Sequence, residues 1–220
     1  MGDVGVEGGA GDQAPYSAML HSTFNVMNRW AFVPLLRAGL EPLIGTPIGG
    51  HFVLLETIGR SSGLPRHAPL LYAIEDGDVF VVAGFGERTQ WYRNLLADPH
   101  VRARLPGRRP QAFVASAVED PARRIELLRR ISQNGGLSGY FTGVDPWRAS
   151  DEALARSVGR VPVVRLRSAD GTPIRPGALD PGGWAWLPIQ SALLVASLGL
   201  IVLLRRAIRR VVTAATAAMR

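Results

Sequence analysis

Residues 51–85 read HFVLLETIGRSSGLPRHAPLLYAIEDGDVFVVAGF, and the punctuation of this stretch decides the fold. Three apolar runs, 51–58, 66–74 and 79–83, are parted by Arg60-Ser61-Ser62-Gly63 and by Glu75-Asp76-Gly77-Asp78. Both connections are short and made of turn formers, and short connections join antiparallel neighbours. Beyond the meander, 89–97 reads as a helix stopped by Asp98-Pro99, and strands at 101–105 and 111–118 flank Pro106-Gly107. A helix at 121–132 follows, with Pro121 suited to its first turn. Residues 135–147 read as a loop holding Tyr140, Phe141 and Trp147, and a weak helix at 151–158 precedes a last strand at 161–166. This order predicts a mainly β, α+β fold: a small antiparallel barrel with helices over its ends.

The flanks differ in kind. Residues 1–15, rich in Gly, Asp and Glu, read as a disordered leader and lack the basic and apolar regions of a signal peptide. From 16 to 43 the apolar positions Leu20, Phe24, Met27, Trp30, Ala31, Pro34, Leu35 and Ala38 predict an amphipathic helix kinked at Pro34. It either packs on the barrel, the favoured reading, or lies in a lipid interface. The barrel domain is thus assigned to 16–170, with a Pro/Gly linker at 171–183. Residues 184–204 then run without a charge, which as a helix is about 31 Å long and spans about one bilayer. Trp184 and Trp186 stand at one end and Arg205-Arg206 at the other, where interfacial anchors belong. Residues 205–220 form a basic tail.

Composition excludes several chemistries. The chain has no cysteine, which removes disulfides, thiolate nucleophiles and iron–sulfur clusters. Of the formal charge of +7, five units come from Arg205, Arg206, Arg209, Arg210 and Arg220, so the remainder carries only +2 and nucleic-acid binding is not expected. The four histidines show no H-x-x-x-H spacing, so no metal site is expected. Gly59-Arg60-Ser61-Ser62-Gly63 fits the G-x-S-x-G elbow of hydrolases, but Pro65 and Pro69 follow it and the next element is a strand rather than a helix. Gly84-Phe85-Gly86-Glu87-Arg88-Thr89 approaches a dinucleotide-binding turn without its third glycine. Such a turn before a helix still offers backbone N–H groups to an anion or to a carbonyl-rich ring. Arg123, Arg124, Arg129 and Arg130 read as a solvated helix face.

Taken together, Leu55 to Arg66, Pro69-Leu70, the strand ending Val82-Ala83-Gly84-Phe85-Gly86, Trp91-Tyr92-Arg93-Asn94-Leu95 and Ala97-Asp98-Pro99 resemble the deazaflavin-dependent nitroreductase family. Residues 50–118 carry the resemblance well, and Arg160-Val161-Pro162-Val163-Val164 carries it weakly. It implies a split β-barrel, coenzyme F-420 as cofactor, and transfer of hydride from the reduced deazaflavin to an electron-poor quinone, enone or nitro compound. That cofactor ends in a phosphodiester and a glutamate tail, which Arg60, Ser61, Ser62 and Arg66 are placed to hold. By the same resemblance His67, Ala68, Pro69, Leu70, Leu71, Val82, Ala83, Gly84, Phe85, Gln90, Trp91, Tyr92, Arg93 and Asn94 line the ring and its linker. Nitroreductases of this kind carry Tyr at the place of Leu71 and Ser at that of Gly84, so the cofactor is better supported than nitroimidazole reduction. Tyr140 is the candidate proton donor, against a plainer reading as a loop aromatic over the barrel mouth. Two alternatives stand beside this: an FMN enzyme on the same barrel, and a non-catalytic barrel holding a lipid or fatty acid. The expected partners are a small-molecule hydride acceptor, membrane lipid and a second copy in a homodimer, with the barrel on the cytoplasmic side of the cell membrane.

Overall fold

The 51–85 meander folds as its punctuation requires, in a computed structural model that describes residues 33–40, 45–142, 145, 147–158 and 161–218. Strand β1 (Phe52–Ile58) pairs antiparallel with β2 (Pro65–Glu75), which pairs in turn with β3 (Asp78–Val82). The second turn places Asp76 at φ 51° and Gly77 at φ 82°, the left-handed pair that a two-residue hairpin needs. Helix α2 (Gln90–Ala97) follows, and an earlier short helix α1 (Val33–Arg37) buries Leu36. Then come β4 (His100–Arg104), β5 (Gln111–Ala117), helix α3 (Pro121–Asn134), a 3-10 helix (Gly136–Thr142), helix α4 (Asp151–Val158) and β6 (Val163–Ser168). The six strands close a barrel in the order β1-β2-β3-β6-β5-β4, every pairing antiparallel. The leader 1–15 and most of the 16–43 helix expectation lie outside the described residues.

Strand alternation sorts the apolar residues into two layers. Val53, Leu55, Val79, Val81, Val101, Phe113 and Leu166 fill the barrel. Phe52, Leu54, Leu71, Phe80 and Val82 point outward and pack against Leu127, Leu128 and Ile131 of α3 and Leu154 of α4. Each fully buried aliphatic side chain contributes about 1.5–3 kcal/mol, so α3 is held chiefly by this stripe. Asp120 caps α3 by accepting from the Arg123 N–H at 3.1 Å. The helix face read as solvated is partly an anchor instead. Arg123 and Arg130 grip Glu75 at 2.5 and 2.7 Å, and Arg123 also stacks over Phe80 at 5.7 Å. The stretch read as a loop after α3 is the 3-10 helix, drawn in tightly: a Cβ on Gly139 would stand 1.9 Å from the Ser132 carbonyl oxygen.

The two barrel ends are closed differently. Helix α2 covers the end that carries the β1–β2 turn, with Trp91, Tyr92 and Leu95 buried. Residues 171–183 cover the other end, so the expectation of a free linker is corrected. Ile174 is buried in the barrel cluster, and its N–H donates to Gly77 O at 2.8 Å. Asp180, 1 % exposed, accepts from the Tyr72 hydroxyl at 2.6 Å, from the Gly177 N–H at 2.6 Å and from the Arg108 guanidinium. His51 lies beside this cluster. Burial pushes its imidazole below the ordinary value, and the Leu179 backbone and the Asp180 carboxylate act in the opposite sense. Gly and Pro make this strap look like a spacer, but two buried side chains and their partners fix it.

Beyond the strap, helix α5 (Trp186–Ala218) is one continuous element that runs through Arg205, Arg206 and Arg209. The expected boundary between apolar span and basic tail is a change of composition within it. Its segment Trp186–Arg206 is long and apolar enough to cross a membrane and is 0 % buried.

Candidate functional site

A cleft of about 900 Å³ opens between the β1–β2 hairpin, the end of β3, the start of α2 and the 3-10 helix. Its lining changes character along its length. One end is made by Gly59, Arg60, Ser61, Ser62 and Arg66 of the hairpin turn, with Arg88, Thr89, Gln90 and Asn94 facing them. The other is apolar, made by Val33, Phe52, Pro69, Leu71 and Val82, with Ser138 at its edge. Phe52 and Leu71 are cross-strand partners, which is why they present a joint surface.

At the polar end Arg60 is positioned without being neutralised. Its guanidinium donates to Asn94 Oδ1 and to Gln90 Oε1, both at 3.0 Å, and its backbone N–H reaches Asn94 Oδ1 at 3.3 Å. Buried Asn94 is itself set by donating to Thr57 Oγ1 at 3.2 Å. Arg66 donates to Ser62 Oγ at 3.3 Å. Among the described residues no carboxylate forms an ion pair with Arg60, Arg66 or Arg88. Two positive charges held by neutral groups, Arg60 and Arg66, together with exposed Arg88 on the same lining, form a receptor for an anion. The Thr89 hydroxyl donates to the Gly86 carbonyl at 2.6 Å instead of capping α2, so the positive end of that helix meets the cleft uncapped by a side chain. On the β2 wall, His67 Nε2 lies 2.9 Å from Glu56 Oε2, its cross-strand partner, which fixes the ring.

Of the residues singled out from the sequence, Arg60, Ser61, Ser62, Arg66, His67, Ala68, Pro69, Leu70, Leu71, Val82, Gly84, Phe85, Gln90, Trp91 and Asn94 line this one cleft. Ala83 and Tyr92 point into the barrel core instead, and Arg93 lies on the exposed face of α2. Burial raises the Tyr92 phenol above its ordinary value, with Glu87 adding to the effect, so it remains neutral. Tyr140 is about half exposed on the 3-10 helix and is not part of the cleft wall. Sequence reading did not assign Val33, Phe52, Gly59, Pro65, Arg88, Thr89 or Ser138 to the site, although Arg88-Thr89 closed the glycine turn read as an anion-binding feature; all seven residues also line the cleft. Gly59 and Pro65 bracket the recognised turn and Arg88-Thr89 adjoin the recognised helix; Val33 and Ser138 come from remote segments and carry no local signal. Among the described residues no group of three or more His, Asp or Glu could hold a metal ion.

The donor set fits coenzyme F-420: cations and hydroxyls for its anionic tail at one end, apolar walls for a flat ring at the other. Residues 37–145 match the family described as F-420H(2)-dependent quinone reductase. The Mycobacterium tuberculosis protein Rv3178, which bears the name of an F-420H(2)-dependent quinone reductase, is 40 % identical over 75 residues. That alignment covers 32 % of this chain, and it spans 63 % of the length of that relative. Among solved structures, the conserved hypothetical protein Rv2991 of M. tuberculosis is 22 % identical, with a TM-score of 0.40 over 54 % of this chain and 73 % of that one. A chain described as an F-420 reductase is 17 % identical, with a TM-score of 0.38 over 59 % and 92 %. Through the match over 37–145, the chain is similar to the F-420H(2)-dependent quinone reductase family, whose members use coenzyme F-420.

Proposed function

We propose that the protein is a coenzyme F-420-dependent oxidoreductase that passes hydride to an electron-poor small molecule, a quinone before a nitro compound, at a membrane surface. The observation that carries this reading is the division of the cleft. Three guanidiniums without carboxylate partners among the described residues stand at one end, and apolar side chains make the other. In this arrangement Arg60, Arg66 and Arg88 bind the anionic tail, while Ser61 and Ser62 supply hydroxyl contacts. Phe52, Leu71 and Val82 form an apolar wall that excludes water from the ring and its acceptor. The bound cofactor supplies the hydride; the chain supplies orientation. Leu71 and Gly84 offer no side-chain donor to an acceptor's polar groups, which favours a flat, largely apolar acceptor. Titration with F-420, read by fluorescence quenching, tests the assignment: saturable binding that FMN does not match is expected, and indifference to deazaflavin would leave a lipid-holding barrel as the better description.

The proton that follows hydride transfer has two sources in this arrangement, the Tyr140 phenol and water. The phenol stands off the cleft wall, so Tyr140→Phe is expected to keep turnover within a few-fold of wild type. A fall of about a hundredfold in kcat at unchanged F-420 affinity would assign the phenol as general acid.

Membrane attachment is assigned to α5, with the barrel in the cytoplasm, where the cofactor is available. A chain ending at Ala185 keeps the strap and loses the apolar helix. It is expected to remain in the supernatant after ultracentrifugation and to bind F-420 as the full chain does. Sedimentation of that fragment with membranes would move the anchoring role to residues 16–43.

A further inference from the structure

We infer that the strap end of the barrel is itself a docking surface for anionic lipid headgroups, contacted through Arg109 and Arg175. This rests on the membrane reading of α5 and goes beyond it, because a helix alone fixes neither the tilt of the barrel nor the face it presents. The tip of the β4–β5 hairpin and the strap form one surface. The Arg108 guanidinium donates to the Arg175 carbonyl at 2.9 Å, and the space above Gly107 is filled by Leu179, whose Cδ1 would stand 2.7 Å from a Cβ there. The helix starts from the same surface. The Gly183 N–H donates to Asp180 O at 2.8 Å and the Ala185 N–H to Ala178 O at 3.0 Å, immediately before α5 begins at Trp186. Trp184, 70 % exposed, stands at that junction, as an interfacial aromatic does.

The charges complement a lipid surface. The Arg108 charge is taken up by buried Asp180, whereas the exposed side chains of Arg109 and Arg175 form no ion pair among the described residues. Of the exposed acids at this end, Asp170 is engaged by the Ser168 hydroxyl and the Thr172 N–H, and Asp76, on the β2–β3 turn against the strap, lies 3.4 Å from Arg123. Arginine near an anionic bilayer favours the contact by about fivefold per residue, so the pair biases the docked orientation by about 25-fold. The cationic end of the cleft lies at the opposite barrel end, with the β1–β2 turn and α2, and docking leaves it in water.

The absence of native cysteine makes the test direct. Full-length protein carrying Pro110→Cys, beside the strap, or Leu96→Cys, on α2 and 65 % exposed, is labelled with a donor dye. Each is reconstituted in vesicles of phosphatidylglycerol or phosphatidylcholine containing an acceptor-labelled lipid, and flotation is measured in parallel. On phosphatidylglycerol, energy transfer from position 110 is expected to exceed that from position 96 several-fold. The difference should shrink on phosphatidylcholine and in the Arg109→Glu, Arg175→Glu double variant, although all samples still float. Equal transfer from both positions in floating protein, or a difference unmoved by charge reversal, overturns this inference and leaves the α5 anchor intact. Protein that does not float overturns the anchor and the docking surface together.

Discussion

Asp180→Ala is expected to lower the unfolding free energy by about 3–5 kcal/mol, because it removes the buried acceptor shared by a phenol, a guanidinium and a backbone N–H. The Tyr72 hydroxyl, on a residue with 0 % exposure, would be left inside the barrel without its carboxylate partner. A loss of this size is a large share of the about 5–15 kcal/mol that holds a domain together. The measurement is urea unfolding of detergent-solubilised full-length protein followed by near-ultraviolet circular dichroism. Asp180→Asn keeps an acceptor for Tyr72 and should cost about 1.5–3 kcal/mol, the value of a hydrogen bond to a charged group. If alanine and asparagine both change stability by less than about 1 kcal/mol, the carboxylate is not the hub of the strap.

The second large effect is on the cofactor. Each charge-assisted contact proposed from Arg60 or Arg66 to the anionic tail would be worth about 1.5–3 kcal/mol, so the double alanine variant should weaken F-420 binding by about a hundredfold or more. The two residues are not equivalent. Among the described residues Arg66 is held by Ser62 Oγ alone, so Arg66→Ala removes a charge and little else. Arg60→Ala also releases Asn94 and Gln90, and should therefore perturb the start of α2. A dissociation constant that rises with salt in wild type and hardly responds in the double variant would confirm electrostatic capture. An unchanged constant at moderate salt removes both residues from the site.

Most of the barrel was legible because its signals are local. Asp76-Gly77 announces a two-residue hairpin wherever it sits between apolar runs, and Pro121 after Asp120 announces a helix start. The candidate site was legible where residues adjoin the β1–β2 turn, and blurred where a contiguous run was taken in place of an alternating one. Val82 and Ala83 are neighbours in sequence, yet strand pleating sends the first toward the cleft and the second into the core. Tyr92 and Arg93 fail likewise on the helical period, while Asn94 succeeds. Val33 and Ser138 reach the cleft only through packing between segments far apart in the chain, which no periodicity encodes. The strap was misread for a related reason: Asp180 among prolines and glycines looks like a solvated spacer until Tyr72, 108 residues earlier, is brought beneath it.

Pinning residues 171–183 to the barrel changes how the protein can explore its surroundings. As a free Gly/Pro coil, thirteen residues would let the barrel wander with a root-mean-square reach of about 20 Å from the bilayer, sweeping a hemisphere in search of reactants. Held by Ile174 and Asp180, the same segment has almost no such reach, so with α5 in a bilayer as proposed the barrel would stay close to the start of the helix. A partner confined to the bilayer is then met by two-dimensional diffusion at a fixed height, and a flexible insertion between Asp180 and Trp186 should convert that encounter into a three-dimensional search without altering a single residue of the cleft.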